Sequence, residues 1–457
     1  HPGMTYVSHS REAWLQDAVT APDQLRQRVA FALSEIFVVS DRSGDLANEP
    51  FGLASYYDLL LNDSFGNFRQ LLEDVTLSPV MGVYLNMLLN DKPDPVTGTQ
   101  PNENYAREVM QLFTVGLNKL NPDGTLLLDS QNNPIATYDQ NVVIGLAHVF
   151  TGWGFTPASG NPQFQFYPMN YRAPMRPFPE HHDTGQKRVL DNVVLPAGQT
   201  QAQDLRDTLD ILFNHPNAGP FICRQLIQRL VTSNPSPAYV YRVARVFSDN
   251  GQGVRGDLKA VVRAILLDYE ARNQTAPTAS TFGHEREPVV RYVNLLRTFH
   301  ASAPDGVYDF VYPMDSLGQL PLDSPTVFNF FEPNFVQPGA IALAGLVSPE
   351  FQITGDTTVV TSINYLRTLI YQNANPTQVS LNWTPSELAL ANTPASLVDM
   401  LNTRLMSGQL PTAQRDIIVT RLNSIPVNPS DPNAGLLSRA RAAAYLIIAS
   451  PQFNIAR

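Results

Sequence analysis

The sequence holds a single cysteine, Cys223, among 457 residues. That excludes an internal disulfide and any zinc or iron–sulfur centre built from several thiolates. Apolar runs are short, and none approaches the roughly 18–20 residues a membrane-spanning helix needs. Charge is scarce as well: Asp, Glu, Lys and Arg make up 16% of the chain, against about 25% in an ordinary globular protein. Lysine is nearly missing, with Lys92, Lys119, Lys187 and Lys259 set against 27 arginines. The formal net charge of −10 disfavours a nucleic-acid partner, because phosphate contacts require a concentrated basic surface. There is no Gly-rich phosphate loop, no Gly-x-Ser-x-Gly elbow and no dinucleotide fingerprint.

What is present is an apolar content of 43%, enough for a sizeable core and too much for a disordered chain. Polarity comes largely from 33 Asn and 26 Gln, a neutral surface compatible with an extracellular or envelope setting. The planar fork of arginine binds carboxylates and carbonyls in fixed geometry, so its predominance suits ordered, partly buried pairs. The chain opens His1-Pro2-Gly3-Met4, neither an initiator Met nor a signal peptide. This predicts a processed chain or a start inside a longer product. Cys223 sits in a helical pattern and reads as a small buried hydrophobe.

Helical periodicity dominates. The predicted class is mainly α, a multi-helix globular array with minor β-hairpins. Two long irregular insertions rich in Pro and aromatics interrupt it. The chain therefore divides into a helical part over 1–153, an irregular segment over 154–200, a helical part over 201–300, a second irregular segment over 301–357 and a C-terminal helical part over 358–457. One large domain is the alternative to that division. The spacing predicts helices over 22–40, 78–90, 103–117 and 137–150, and then over 202–214, 218–232, 237–249, 257–268 and 286–300. Four more fall at 358–372, 394–406, 412–423 and 434–449. Thr137, with Gln140 three positions on, predicts a capping box. Ser236-Pro237, Thr384-Pro385 and Thr393-Pro394 are helix starts. Leu126–Leu128 and Ile135–Tyr138 predict a hairpin.

Three stretches carry candidate chemistry. In Asn102–Phe113, Glu103, Arg107 and Gln111 share one helical stripe, and Asn104 and Glu108 share the next. Two carboxylates, a guanidinium and amides thus fall within two turns. This is either an ordinary solvated Glu–Arg face or a polar face turned into a cleft. In the cleft reading Arg107 keeps one carboxylate ionised while burial favours the protonated form of the other, the separation that acid/base work requires. In Asp139–Trp153, the stripe Asn141, Gly145, His148 and Gly152 lets another element approach closely beside His148. That histidine is either a hydrogen-bonded core or surface residue, or a proton shuttle. Trp153 is either core or a stacking platform for a ligand. In Glu180–Lys187, His181, His182 and Asp183 are legitimate metal-ligand types. Their spacing matches no standard helical zinc motif, so a loop anchored by His182 and Asp183 hydrogen bonds is preferred to a metal site.

These segments also resemble a known family. Pro22–Ser40 (PDQLRQRVAFALSEIFVVS), Pro101–Leu117 (PNENYAREVMQLFTVGL), His148–Trp153 (HVFTGW), His182–Lys187 (HDTGQK) and Arg255–Asp268 (RGDLKAVVRAILLD) are similar, in order, to a bacterial family catalogued as domain of unknown function 1800. Ser324–Pro333 and Ala442–Phe453 resemble it too. The resemblance implies an exported chain, secreted, periplasmic or at the cell surface. It also implies a partner similar to the sulfatase and alkaline-phosphatase superfamily, since such proteins are often encoded beside members. Many members have His where this chain has Phe113, so no catalytic role carries over to that position.

Two functional classes follow. The first is an exported hydrolase or lyase acting on an extracellular or envelope polymer. Glu103, Arg107, Glu108, His148, His182 and Asp183 are then its catalytic candidates. Asn102, Asn104, Gln111, Trp153 and Lys187 are its substrate-binding candidates. The second is a non-catalytic envelope or extracellular assembly protein, whose irregular segments form contact surfaces.

Overall fold

Short polar residues start many of the helices. Asp139, Ser236, Asp257 and Asp431 each accept a hydrogen bond from the backbone N–H three residues on, at 3.0, 3.1, 3.0 and 3.3 Å. Such caps satisfy N–H groups that have no partner inside the helix. Thr384 and Glu387 form a full capping box. In the computed structural model the described residues are 7–272, 281–308, 316–371 and 379–456. The opening His1–Met4, part of the 301–357 segment and the end of the predicted 358–372 helix lie outside them.

Eleven helices come first: α1 (Val7–Thr20), α2 (Gln24–Ser34), α3 (Pro50–Asp63), α4 (Phe68–Leu77), α5 (Pro79–Tyr84), α6 (Asn104–Gln111), α7 (Gln140–Val149), α8 (Gln201–Asn214), α9 (Ala218–Leu230), α10 (Pro237–Ser248) and α11 (Leu258–Leu267). A single turn, α12 (Tyr269–Arg272), precedes α13 (Pro288–Thr298), and another, α14 (Ala340–Leu343), precedes α15 (Asp356–Tyr371). The chain closes with α16 (Pro385–Ala389), α17 (Pro394–Met406), α18 (Thr412–Asn423) and α19 (Pro432–Ile448). Strands among the described residues are antiparallel pairs two residues long: β1 (Trp153–Gly154) with β2 (Arg176–Pro177), β3 (Lys187–Arg188) with β4 (Val194–Leu195), and β5 (His284–Glu285) with β6 (Ile455–Ala456). The protein is mainly α.

Several local expectations change. The predicted 22–40 helix ends at Ser34, yet Ile36, Phe37, Val38 and Val39 stay buried along a non-helical path. A continuous apolar run cannot distinguish those two outcomes. The 78–90 and 103–117 helices likewise stop at Tyr84 and Gln111. The Thr137–Gln140 capping box does not form. Asp139 caps α7, the Thr137 hydroxyl donates to the Gly116 carbonyl, and Gln140 turns to Glu103. The hairpin near 126–136 is reduced to isolated bridges, including Leu128 with Pro134. Helices α1, α3 and α4 carry no expectation from the sequence.

Two hydrophobic cores organise the chain. The first gathers α2 to α11 together with Phe155, Tyr171, Met175, Val189, Leu190 and Leu195 of the 154–200 segment, which packs inward. The second gathers α13, α15 and α17 to α19, and takes in Leu15 and Val19 of α1 and Phe31 of α2. Between them runs a seam of buried charge. Arg28 Nη2 reaches Glu287 Oε1 at 3.4 Å, and Arg229 Nε lies 3.7 Å from Glu35 Oε2. Gln319 Nε2 donates to Glu287 Oε2 at 2.6 Å, and Asn329 Nδ2 donates to Glu35 Oε1 at 3.3 Å. Gln319 and Asn329 belong to the second irregular segment, which thus joins the cores.

Candidate functional site

Two glycines decide how the candidate residues meet. A Cβ on Gly145 of α7 would stand 1.8 Å from the Arg188 carbonyl oxygen, so β3 lies directly on that helix. Gly152 has φ +79°, and a Cβ there would stand within 2.9 Å of the His182 backbone nitrogen and the Phe178 carbonyl oxygen. Only a residue without a side chain permits both approaches. The 178–188 segment can therefore fold back along α7 and carry His182, Asp183 and Lys187 to His148.

His148, at the C-terminal end of α7, is hydrogen-bonded through Nδ1 to Asp183 Oδ2. Its Nε2 makes no hydrogen bond among the described residues, and the two side chains remain 22% and 20% exposed. Asp183 is held firmly. Its Oδ1 accepts from the Gly185 N–H at 2.6 Å, and its own N–H donates to the Thr151 hydroxyl at 2.9 Å. Burial pushes the Asp183 carboxyl up. Hydrogen bonds from His148 and Gly185 and the nearby charge of Lys187 outweigh that and bring it below the ordinary carboxylate range.

Beneath this pair lies a sealed one. His182 Nε2 donates to Asp204 Oδ2 at 3.0 Å, and Lys187 Nζ donates to the same oxygen at 2.7 Å. All three side chains are 1% exposed or less. Thr151 links the two layers, its hydroxyl donating to the His148 carbonyl at 2.8 Å and lying 3.1 Å from His182 Nδ1. Sequence reasoning missed Asp204 and Thr151. Asp204 had a signal, because it lies on the buried stripe of α8 with Leu205, Thr208, Leu209 and Leu212. A carboxylate on an apolar stripe calls for a buried cation.

The remaining candidates stand apart. Arg107 Nη2 and Gln140 Nε2 donate to Glu103 Oε2 at 3.0 and 2.8 Å, a half-exposed group at the N-terminal end of α7. Eight residues of helix, about 12 Å, separate Gln140 from His148. Glu108 does not share that outward face but turns inward, 6% exposed, with Oε2 buried and unbonded. Burial pushes its carboxyl up, and the Arg107 charge pulls it part of the way back. Burial and the Glu108 charge push the neighbouring Tyr138 up to about 12. Asn102 Oδ1 accepts from the Asn104 N–H at 2.9 Å, and Asn104 Nδ2 donates to Asn86 Oδ1 at 3.0 Å. Gln111 lies at the far end of α6. Trp153 is 3% exposed and packed in the first core.

The two adjacent histidines diverge. His181 Nδ1 meets Asp91 Oδ2 at 2.9 Å, and its ring stacks on Phe164 at 3.7 Å, whereas His182 faces Asp204. Among the described residues no three His, Cys, Asp or Glu side chains are placed to hold a metal ion. No described helix is long and apolar enough to cross a membrane.

No curated protein and no solved structure matches the chain. A family model described as "Protein of unknown function (DUF1800)" matches residues 3–455, nearly the whole length, and the chain belongs to that family.

Proposed function

We propose that the protein is an exported hydrolase or lyase acting on an extracellular or envelope polymer, with His148 as its proton-transfer group. One observation carries this reading: Asp183 occupies His148 Nδ1, while Nε2 stays unbonded on a partly exposed side chain. A carboxylate that fixes the imidazole in this way sets its tautomer and leaves the other nitrogen to take or give a proton. The exposed face of α7 then serves as the platform. Glu103, Arg107 and Gln140 anchor the chain of sugars or other repeating units about 12 Å from the reacting bond.

The test is degradation of a panel of envelope and extracellular polysaccharides by the purified chain. His148→Gln and Asp183→Asn are each expected to lower turnover by about 10²–10⁴, the usual share of acid–base catalysis, while the far-ultraviolet dichroism stays unchanged. Turnover that survives both substitutions sinks the proposal.

A second reading, non-catalytic assembly, draws on a different place. Residues 338–347 carry no charged side chain, and Leu343 within them is 90% exposed. If this tip mediates assembly, Leu343→Asp abolishes association measured by light scattering.

A further inference from the structure

Lysine is scarce in this chain, and Lys187 is sealed. Lys92 and Lys259 are exposed and the Lys119 side chain is 37% exposed, whereas that of Lys187 is 1% exposed. Its Nζ meets Asp204 Oδ2 at 2.7 Å and donates to the Gly185 carbonyl at 2.9 Å. A sealed ion pair seldom stabilises a fold more than apolar side chains of the same volume would, so stability alone gives no reason for a cation here. The neighbouring Asp183 gives one.

Two arms run from Lys187 to the exposed pair. In the first, Lys187 holds the Gly185 carbonyl, and the N–H of the same glycine donates to Asp183 Oδ1 at 2.6 Å. The 183–187 turn is thereby fixed with Asp183 Oδ2 on His148 Nδ1. In the second, Asp204 Oδ2 is shared by Lys187 and His182. His182 stands against the Thr151 hydroxyl, which accepts the Asp183 N–H. Burial alone pushes the Asp183 carboxyl up; hydrogen bonds from His148 and Gly185 and the charge of Lys187 bring it below the ordinary range. The Gly185 bond and that charge both depend on this one side chain. Other charged groups on the adjoining segments turn elsewhere: Arg188 to Asp139, His181 to Asp91 and Asp207 to Gln199. Glu180 is exposed.

We propose that Lys187 is the positioning residue of the His148 site: it closes the turn that carries Asp183 and supplies the cation that keeps Asp183 ionised, so that Asp183 holds His148 Nδ1 into acid solution. This rests on the reading of His148 as the proton-transfer group. An ionised Asp183 keeps one imidazole nitrogen occupied and leaves the other to exchange a proton. Lys187 itself is sealed from any substrate and acts only through Asp183.

Carbon-13 NMR of the Asp183 carboxyl, followed against pH in the full chain, tests this without a substrate. In the parent chain Asp183 is expected to titrate below the ordinary carboxylate range. Lys187→Gln keeps a donor for Asp204 and removes the charge, and the Asp183 midpoint then rises while the far-ultraviolet dichroism stays unchanged. Lys187→Arg keeps the charge and leaves the midpoint low, a difference that a merely structural lysine would not produce. On a polymer that the parent chain cleaves, the acid limb of the pH–rate profile of Lys187→Gln moves to higher pH with KM unchanged. Should Lys187→Gln fail to fold, the parent titration and Lys187→Arg carry the test. The proposal is overturned if Asp183 of the parent chain titrates at or above the ordinary range, if Lys187→Gln leaves the midpoint where it was, or if Lys187→Arg raises it as far. If the shifts appear but no polymer is cleaved, Lys187 still positions the pair and it is the catalytic reading of His148 that falls.

Discussion

The seam between the cores and the ridge along α7 are built from the same materials, carboxylates set against cations, to opposite effect. In the seam, Glu35 is 5% exposed and Glu287 1%, and both carboxylates are engaged by groups from distant parts of the chain. On the ridge, Glu103, Arg107, His148 and Asp183 are 20–40% exposed, and His148 retains an uncommitted nitrogen. Sealed charge fixes architecture, because moving either partner exposes the other to a medium that cannot solvate it. Half-open charge leaves an atom that can act on something else. The His182–Asp204–Lys187 group belongs to the sealed kind, yet it lies directly beneath the ridge and holds Asp183 in place through Thr151.

The sharpest way to break this contrast is to remove a seam cation. Arg229→Met leaves Glu35 and Glu287 without the guanidinium between α2 and the second core, and it deletes the bond from Nη2 to the Glu35 carbonyl at 3.0 Å. Loss of one partner from a sealed pair costs about 3–5 kcal/mol. Urea unfolding reads this directly. A loss below about 1 kcal/mol would make the seam no more structural than a surface pair.

Acidity separates the regions next. Burial, then the Glu287 charge and its hydrogen bond, raise Glu35 well above the ordinary range. Burial, then a hydrogen bond with Asp323, pushes Asp41 up to about 7, and burial pushes Glu285 up to about 7. A carboxyl whose folded value is raised holds its proton more tightly when folded. Its stabilisation is complete below the unfolded value, near 4, and is lost as pH climbs through about 7. Asp183 is shifted the other way, so its contribution is present above the unfolded value and lost only in more acid solution. Stability should therefore fall between pH 5 and pH 8 by something on the order of 1–3 kcal/mol. Urea midpoints across that range check this, and a midpoint that rises with pH contradicts it.

How much of this was legible in the sequence follows from the same contrast. Local features read well: the mainly α class, the Ser236 and Thr384 helix starts, and the glycine stripe that lets a second segment lie beside His148. His148, His182, Asp183 and Lys187 stand in two short stretches, and the structure joins them in one network. The seam had no comparable trace. Glu35, Arg229, Glu287, Gln319 and Asn329 come from elements far apart in the chain. Periodicity shows which face of a helix is apolar, not which distant face it meets. Glu108 was open for a related reason, since its stripe allowed either a solvated face or a buried carboxylate, and only the docking of α6 decides that it turns inward.

The ridge supplies the smallest expected effect, and its smallness is itself informative. Glu103 and Arg107 are four apart on one helix, 36% and 40% exposed. Water already solvates both, and two long side chains lose freedom when they pair. Glu103→Ala should therefore change stability by about 0.3–0.5 kcal/mol, the range of exposed i, i+4 pairs. Gln140 adds one more bond to the same carboxylate, at 2.8 Å, which favours the upper end of that range. A double-mutant cycle of Glu103→Ala and Arg107→Ala isolates the coupling. A coupling near the Arg229 value would mean that the ridge, too, is architecture. A small coupling together with a clear loss of polymer binding is what separates a surface that engages a substrate from one that holds the protein up.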